Sequence, residues 1–175
     1  MSKRISDHQY EDGLSKCKYW LEERPEYDGL ANNKEWEGFG LEDIHFSKSG
    51  RGSAFYHRGS PKRAKGKRIT IGLRGCDVYS SYLRKIPFLP PLGGIPVDRY
   101  DGYQVTLIHE LTHFIQHLQG RPYGEVETSR NELAYLLSCV SEQIAPRLIS
   151  YEERKRQDEA EKTFKAGKLD VETYL

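Results

Sequence analysis

A chain of 175 residues with a net charge of +1 is long enough for one domain with a real core. It carries no global field that would draw it to nucleic acid or a membrane surface. Its 37% hydrophobic and 30% charged content suits a soluble globular fold, and no apolar run approaches the roughly 18 residues of a membrane span. The basic N-terminus has no apolar stretch behind it and does not read as a secretory signal. Cys17, Cys76 and Cys139 are odd in number and widely spaced, so they read as free thiols in a reducing compartment. The expected setting is the cytoplasm.

In chain order, Tyr10, Leu14, Cys17, Trp20 and Leu21 fall near one helical face, so residues 1–24 are expected to hold an N-terminal helix ended by Pro25. Gly13 weakens that helix by about 1 kcal/mol of propensity, and His8 lies on its solvated side. Residues 25–40, rich in Gly, Asn and charge, read as loop. Residues 41–75 change character: segments 44–46, 54–57 and 68–73 are short and β-prone, separated by Gly, Ser and Pro. They predict a small, mainly antiparallel sheet, in which His45 and His57 are sheet residues, His57 with the option of lying beside a metal.

The same region carries nine Lys or Arg residues and no acid between His45 and Cys76. A solvated hairpin loop explains such a run, and binding of nucleic acid through residues 48–74 is the alternative. The run lacks the interleaved aromatics of a base-stacking surface. Residues 86–97 hold four prolines and a Gly-Gly pair, which exclude a helix and predict an extended apolar loop. Such a loop either walls a cleft or packs over the core. Tyr79, Tyr82 and Tyr100 read as packing residues.

The chemistry concentrates in His109-Glu110-Leu111-Thr112-His113. Leu107, Ile108, Leu111, Phe114, Ile115 and Leu118 recur around it at helical spacing, so the histidines sit on a largely buried helix. Residues four apart project from one face about 6 Å from each other, close enough to share one metal ion. Glu110 points beside the pair, where a carboxylate can act as general base on a metal-bound water. Asp101 is the expected N-cap of this helix, with Gln104 completing a capping box, and Gly120 and Pro122 end it near Gln119. A second helix follows over 126–145, its apolar face built from Leu133, Leu136, Leu137, Val140 and Ile144. A charged third helix follows over about 150–166. Residues 101–145 thus form a metal-site helix pair within one domain spanning 1–175.

A catalytic zinc site (Zn2+) needs a third protein ligand. His117 lies about 12 Å up the same helix from His109 and cannot share its metal. Gln116 and Gln119 occupy the positions where a metzincin requires Gly and His, which excludes that class. The next helix offers Glu125, Glu127 and Glu132. The combination of His-Glu-x-x-His with Asn131-Glu132-Leu133-Ala134 resembles the gluzincins, the thermolysin- and aminopeptidase-like metallopeptidases, over residues 101–137. In size the chain is closer to the small zincin domains of phage and mobile-element regulators.

The resemblance implies an α+β, zincin-like fold, zinc held by His109, His113 and Glu132, and Glu110 as general base. Glu127 stays as an alternative ligand, with Glu125 behind it. Leu136 stands where the thermolysin-like enzymes carry an Asp that supports a zinc histidine, so that support must come from elsewhere. The activity implied is peptide-bond hydrolysis, with Tyr123, Tyr135, Tyr151 or His57 as the oxyanion donor. A strand at 53–58 or 68–73 would hold an extended peptide or protein substrate, and the basic run would favour acidic positions in it. The alternative is a non-catalytic zinc-containing regulatory or DNA-associated module.

Overall fold

The computed structural model describes residues 4–63, 66–79, 95–96 and 98–139. The expected helix at 150–166, the end of the 126–145 helix, Tyr82, Tyr151 and most of the proline-rich segment lie outside them. The chain is a mixture of helices and a small sheet, in the order α1 (Asp7–Glu22), α2 (Lys34–Glu37), β1 (Ile44–Ser47), β2 (Ser53–Phe55), β3 (Ile69–Gly72), β4 (Val78–Tyr79), β5 (Ile95–Pro96), α3 (Arg99–Leu118) and α4 (Glu125–Cys139).

Helix α1 starts where Ser6 and Gln9 close a capping box. It buries Leu14, Cys17 and Leu21 against α3. The Cys17 thiol donates to the Gln104 carbonyl at 3.3 Å, and the Tyr103 hydroxyl donates to the Tyr10 carbonyl at 2.8 Å. Gly13 has a structural reason: a Cβ there would stand 2.8 Å from the Tyr103 ring. Its missing side chain lets the two helices approach.

Residues 25–40 are more ordered than the loop expected of them. Two short 3-10 turns, Pro25–Tyr27 and Leu30–Asn32, lead into α2, which Asn33 caps by accepting from the amides of Glu35 and Trp36. Tyr27, Trp36 and Phe39 are buried, and burying such rings supplies the driving force that a count of Gly, Asn and charge overlooks. The Trp36 indole N–H donates to Glu22 at 2.8 Å, fixing this segment to α1.

The three-stranded sheet has the order β1-β3-β2 and is mixed, not mainly antiparallel. β3 pairs parallel with β1 (Ile44 opposite Ile69) and antiparallel with β2 (Phe55 opposite Ile69). The cause lies in β3, whose Ile69, Ile71 and Gly72 are buried, so it takes the central place. Residues 48–52 must then cross the end of β3 to connect its two neighbours. A Cβ on Gly75 would lie 2.0 Å from the Arg51 carbonyl oxygen, so the crossing requires glycine there. β4 and β5 form a separate antiparallel pair.

α3 is buried on nearly every side. Phe114 packs against Trp36, Phe39 and Phe55, while Leu107, Ile108 and Leu111 join Ile69 and Ile71 in the same core. Its N-cap is Asp98, three residues earlier than expected, and Asp101 sits in the first turn. Its end is as expected: Gly120 is left-handed at φ 63°, with Gly120 N–H to His117 and Arg121 N–H to Gln116 closing a Schellman motif. No described helix is long and apolar enough to cross a membrane.

Gly13 yields a test in which two effects oppose each other. Alanine adds up to about 1 kcal/mol of helix propensity. Crowding a buried ring costs about 1–3 kcal/mol. Gly13→Ala is therefore expected to lower the urea midpoint, and a raised midpoint would show that Tyr103 gives way freely.

Candidate metal centre

Within α3, His109 and His113 lie one turn apart with ring centroids 4.9 Å from each other. Both are nearly buried, on the wall of a cleft of about 320 Å³. Glu125 opens α4, immediately after the turn that reverses the chain. Its Oε2 lies 3.4 Å from His109 Nε2 and its Oε1 lies 3.4 Å from His113 Nε2. Atoms bound at about 2.0–2.1 Å to one tetrahedral ion stand about 3.3–3.4 Å apart, and each imidazole meets a different Glu125 oxygen at that separation, so the group could hold an ion. Among the described residues, His109, His113 and Glu125 form the one group of three potential ligands whose donor atoms lie within 4.8 Å of one another. The donor set of two imidazoles and a carboxylate suits zinc.

Glu132 takes another position. Its Oε1 receives the Nδ1–H of His109 at 2.6 Å, on the far side of the ring from Glu125. Its side chain is 7% exposed against 36% for Glu125, and both residues line the cleft. Glu127 is spoken for: Arg121 grips both its oxygens at 2.9 Å, and the Tyr27 hydroxyl and Gln116 amide donate to it. Antiparallel pairing puts Glu132 level with the histidines along the helix. Glu132 meets Nδ1 of His109, however, whereas Glu125 meets the Nε2 atoms of both rings.

The second nitrogen of each ring is fixed. Glu132 holds the proton on His109 Nδ1, and Gln116 Oε1 accepts from His113 Nδ1 at 3.0 Å, so both Nε2 atoms point at Glu125. The Gln116 amide cannot be flipped, because its nitrogen donates to the Gly124 carbonyl and Glu127 while its oxygen also accepts from Gly124 N–H. Gln116 therefore ties His113 to the turn that carries Glu125. Thr128, fully buried, donates to the Glu125 backbone carbonyl at 2.8 Å, with the carboxylate at 3.3 Å.

The electrostatics separate the two histidines. Burial opposes the charge on His109, but the Glu132 carboxylate overrides it and lifts the imidazole to about 9. Burial instead holds His113 below its ordinary value. Burial also pushes Glu110 up to about 7, against the pull of His109 and the Ser53 hydrogen bond. That carboxylate receives the Ser53 hydroxyl on Oε1 at 2.7 Å, and its buried Oε2 has no protein partner among the described residues. A carboxylate on a cleft wall that titrates near neutrality is suited to moving protons.

Other candidates are resolved by position. Tyr123 lines the cleft with its ring 5.6 Å from His113. Tyr135 is buried and donates to Gln104, away from the histidine face. His57 stands beside His117 and Tyr123, with centroids 6.5 Å and 6.3 Å away, at a separate shallow depression. Part of the basic run is used internally: Arg68 pairs with Glu35 at 2.8 Å and lies over Phe114, Lys67 donates to the Glu42 carbonyl, and Arg63 to those of Gly66 and Lys67. Cys17 and Cys76 are buried free thiols, and Cys139 is an exposed one. Searches against protein-family models, curated proteins and solved structures find no match for this chain.

Glu127 makes the brace around the turn pH-dependent. Burial opposes its charge, yet hydrogen bonds from Arg121, Tyr27 and Gln116 together bring the carboxyl down to about 2. Its folded value lies below the unfolded one of about 4.3, so its contribution is complete above that pH and is lost as pH falls toward 2. Unfolding free energy measured against pH should therefore fall less steeply below pH 4.5 in Glu127→Gln than in the wild type. Equal acid slopes would contradict the brace.

Proposed function

We propose that the chain is a zinc-dependent metallopeptidase of zincin-like fold, with His109, His113 and Glu125 as ligands in place of the expected Glu132. The observation that carries this reading is the convergence of both Nε2 atoms on the two Glu125 oxygens at 3.4 Å, in the cleft that Glu110 also lines. Glu132 supports His109 and Gln116 supports His113, which answers the need left by Leu136. A bound zinc ion would supply Lewis acidity, acidifying water and polarising a scissile carbonyl.

The chain's own groups do the rest. Ser53 holds Glu110 Oε1, leaving Oε2 to accept a proton from the attacking water and return it to the leaving amine. Tyr123, half exposed on the cleft wall, is placed to donate to the developing oxyanion. Among the described residues β2 pairs with β3 alone, and its Ser53, Ala54 and Phe55 line the cleft. An extended peptide can add there as a further strand. The free thiols fit a reducing, cytoplasmic setting. Glu110 distinguishes the site from a purely structural zinc module, which has no use for a base, and the internal bonds of Arg63, Lys67 and Arg68 weigh against a DNA-associated one.

Metal analysis combined with hydrolysis assays tests the assignment. Glu125→Ala should lose stoichiometric zinc, while Glu132→Ala should keep it with affinity about 10–100-fold weaker. Glu110→Gln should retain zinc and lose hydrolysis by about 100-fold or more. Undiminished zinc in Glu125→Ala sinks the ligand set, and full turnover in Glu110→Gln removes the base.

A further inference from the structure

Arg51 enters the cleft from the loop that crosses the end of β3. Apart from the two histidines, it is the one basic residue among those lining the cavity, where the other charged groups are Glu110, Glu125 and Glu132. Each of those carboxylates has a neighbour already described: Ser53, the two Nε2 atoms, and His109 Nδ1. Arg51 has no hydrogen bond or ion pair to any described side chain, in contrast to Arg63, Arg68, Arg99 and Arg121. Its side chain is exposed, so neither burial nor packing accounts for an arginine there.

Its backbone, however, is tightly placed. The Arg51 carbonyl sits where a Gly75 Cβ would be, and Gly50 accepts from Arg74 N–H at 3.1 Å. Arg51 is also two residues before Ser53, whose hydroxyl holds the base, so their Cα atoms are no more than about 7 Å apart. Exposed Lys48 and Arg74 flank the same crossing, also without an acidic partner among the described residues. Phe55 and Tyr123 supply aromatic walls to the same cleft. Arg51 is thus its cationic group beside aromatic walls and the two histidines.

We propose that Arg51 is the specificity-determining residue of this cleft, binding a substrate carboxylate within one or two residues of the bond placed at His109 and His113. Guanidinium groups match carboxylates with two parallel hydrogen bonds, and the cationic flank adds a field of the same sign. The carboxylate belongs to an acidic side chain or to a free C-terminus, and both present the same two oxygens. This assignment rests on the peptide-binding reading of the site.

The test uses the full chain carrying Glu110→Gln, loaded with zinc, so that peptides bind without turnover. Fluorescence anisotropy would compare peptides differing only by Glu against Gln at successive positions, and by free acid against amide at the C-terminus. One acidic form should bind about tenfold or more tightly than its neutral counterpart. The position of that gain identifies the source of the carboxylate. Adding Arg51→Ala should collapse the ratio toward one, and Arg51→Glu should reverse it. Equal affinities, or a preference that survives Arg51→Ala, would overturn the proposal. A wild-type chain that cleaves peptides with no carboxylate preference defeats this inference alone. One that binds with the Arg51-dependent preference but never cleaves defeats the peptidase reading alone.

Discussion

Glu132 Oε1 and His109 Nδ1 meet at 2.6 Å, both nearly buried, where neither group could stay charged alone. An isolated carboxylate in such surroundings loses several kcal/mol of hydration, and removing one partner of a buried pair costs about 3–5 kcal/mol. The pairing therefore demands that α3 and α4 dock at a fixed rotation. Once it does so, His109 has only Nε2 left to present to the cleft. Asn131, adjacent on α4, donates to Thr112 and to the Tyr27 hydroxyl, so the same docking also fixes the segment that follows α1.

From this contact the remaining geometry follows in steps. The turn at 119–124 is short, and its glycine closes α3 so that Glu125 begins the returning helix beside the histidines. Gln116 then serves two ends at once, accepting from His113 and holding Gly124. Around them α3 is enclosed by α1, the sheet and the Trp36 segment, so its polar groups have little freedom to rearrange. A rigid, low-dielectric wall of this kind holds His109, Glu110 and His113 in fixed positions.

The spacing of His109, Glu110 and His113 made their helix and its shared face legible, because a period of 3.6 residues places them without reference to anything else. The C-terminal glycine of α3 and the positions of the three strands of the mixed sheet were legible for the same reason, each being a local signal, while the short β4 and β5 were not. The partner of the histidines was not local. Glu132 is the ligand that the gluzincin resemblance implies, while the rotation of α4 decides which ring nitrogen each carboxylate meets. The one sequence signal for Glu125 was its place directly after the Gly120–Gly124 turn. The mixed sheet was hidden likewise, since β3 becomes central only when the burial of Ile69 and Ile71 is weighed against the short β1–β2 connection. Ser53 and Gln116 carried no motif at all, being defined by what they touch across the fold.

The surroundings of a bound zinc ion test the proposed site most directly. Zinc K-edge absorption of the zinc-loaded chain should show two imidazole nitrogens and carboxylate oxygen at about 2.0–2.1 Å, with no sulfur. Replacing Glu132 should leave that first shell unchanged, and replacing Glu125 should remove the carboxylate. A sulfur scatterer, or carboxylate scattering that vanishes with Glu132 and survives without Glu125, would contradict it.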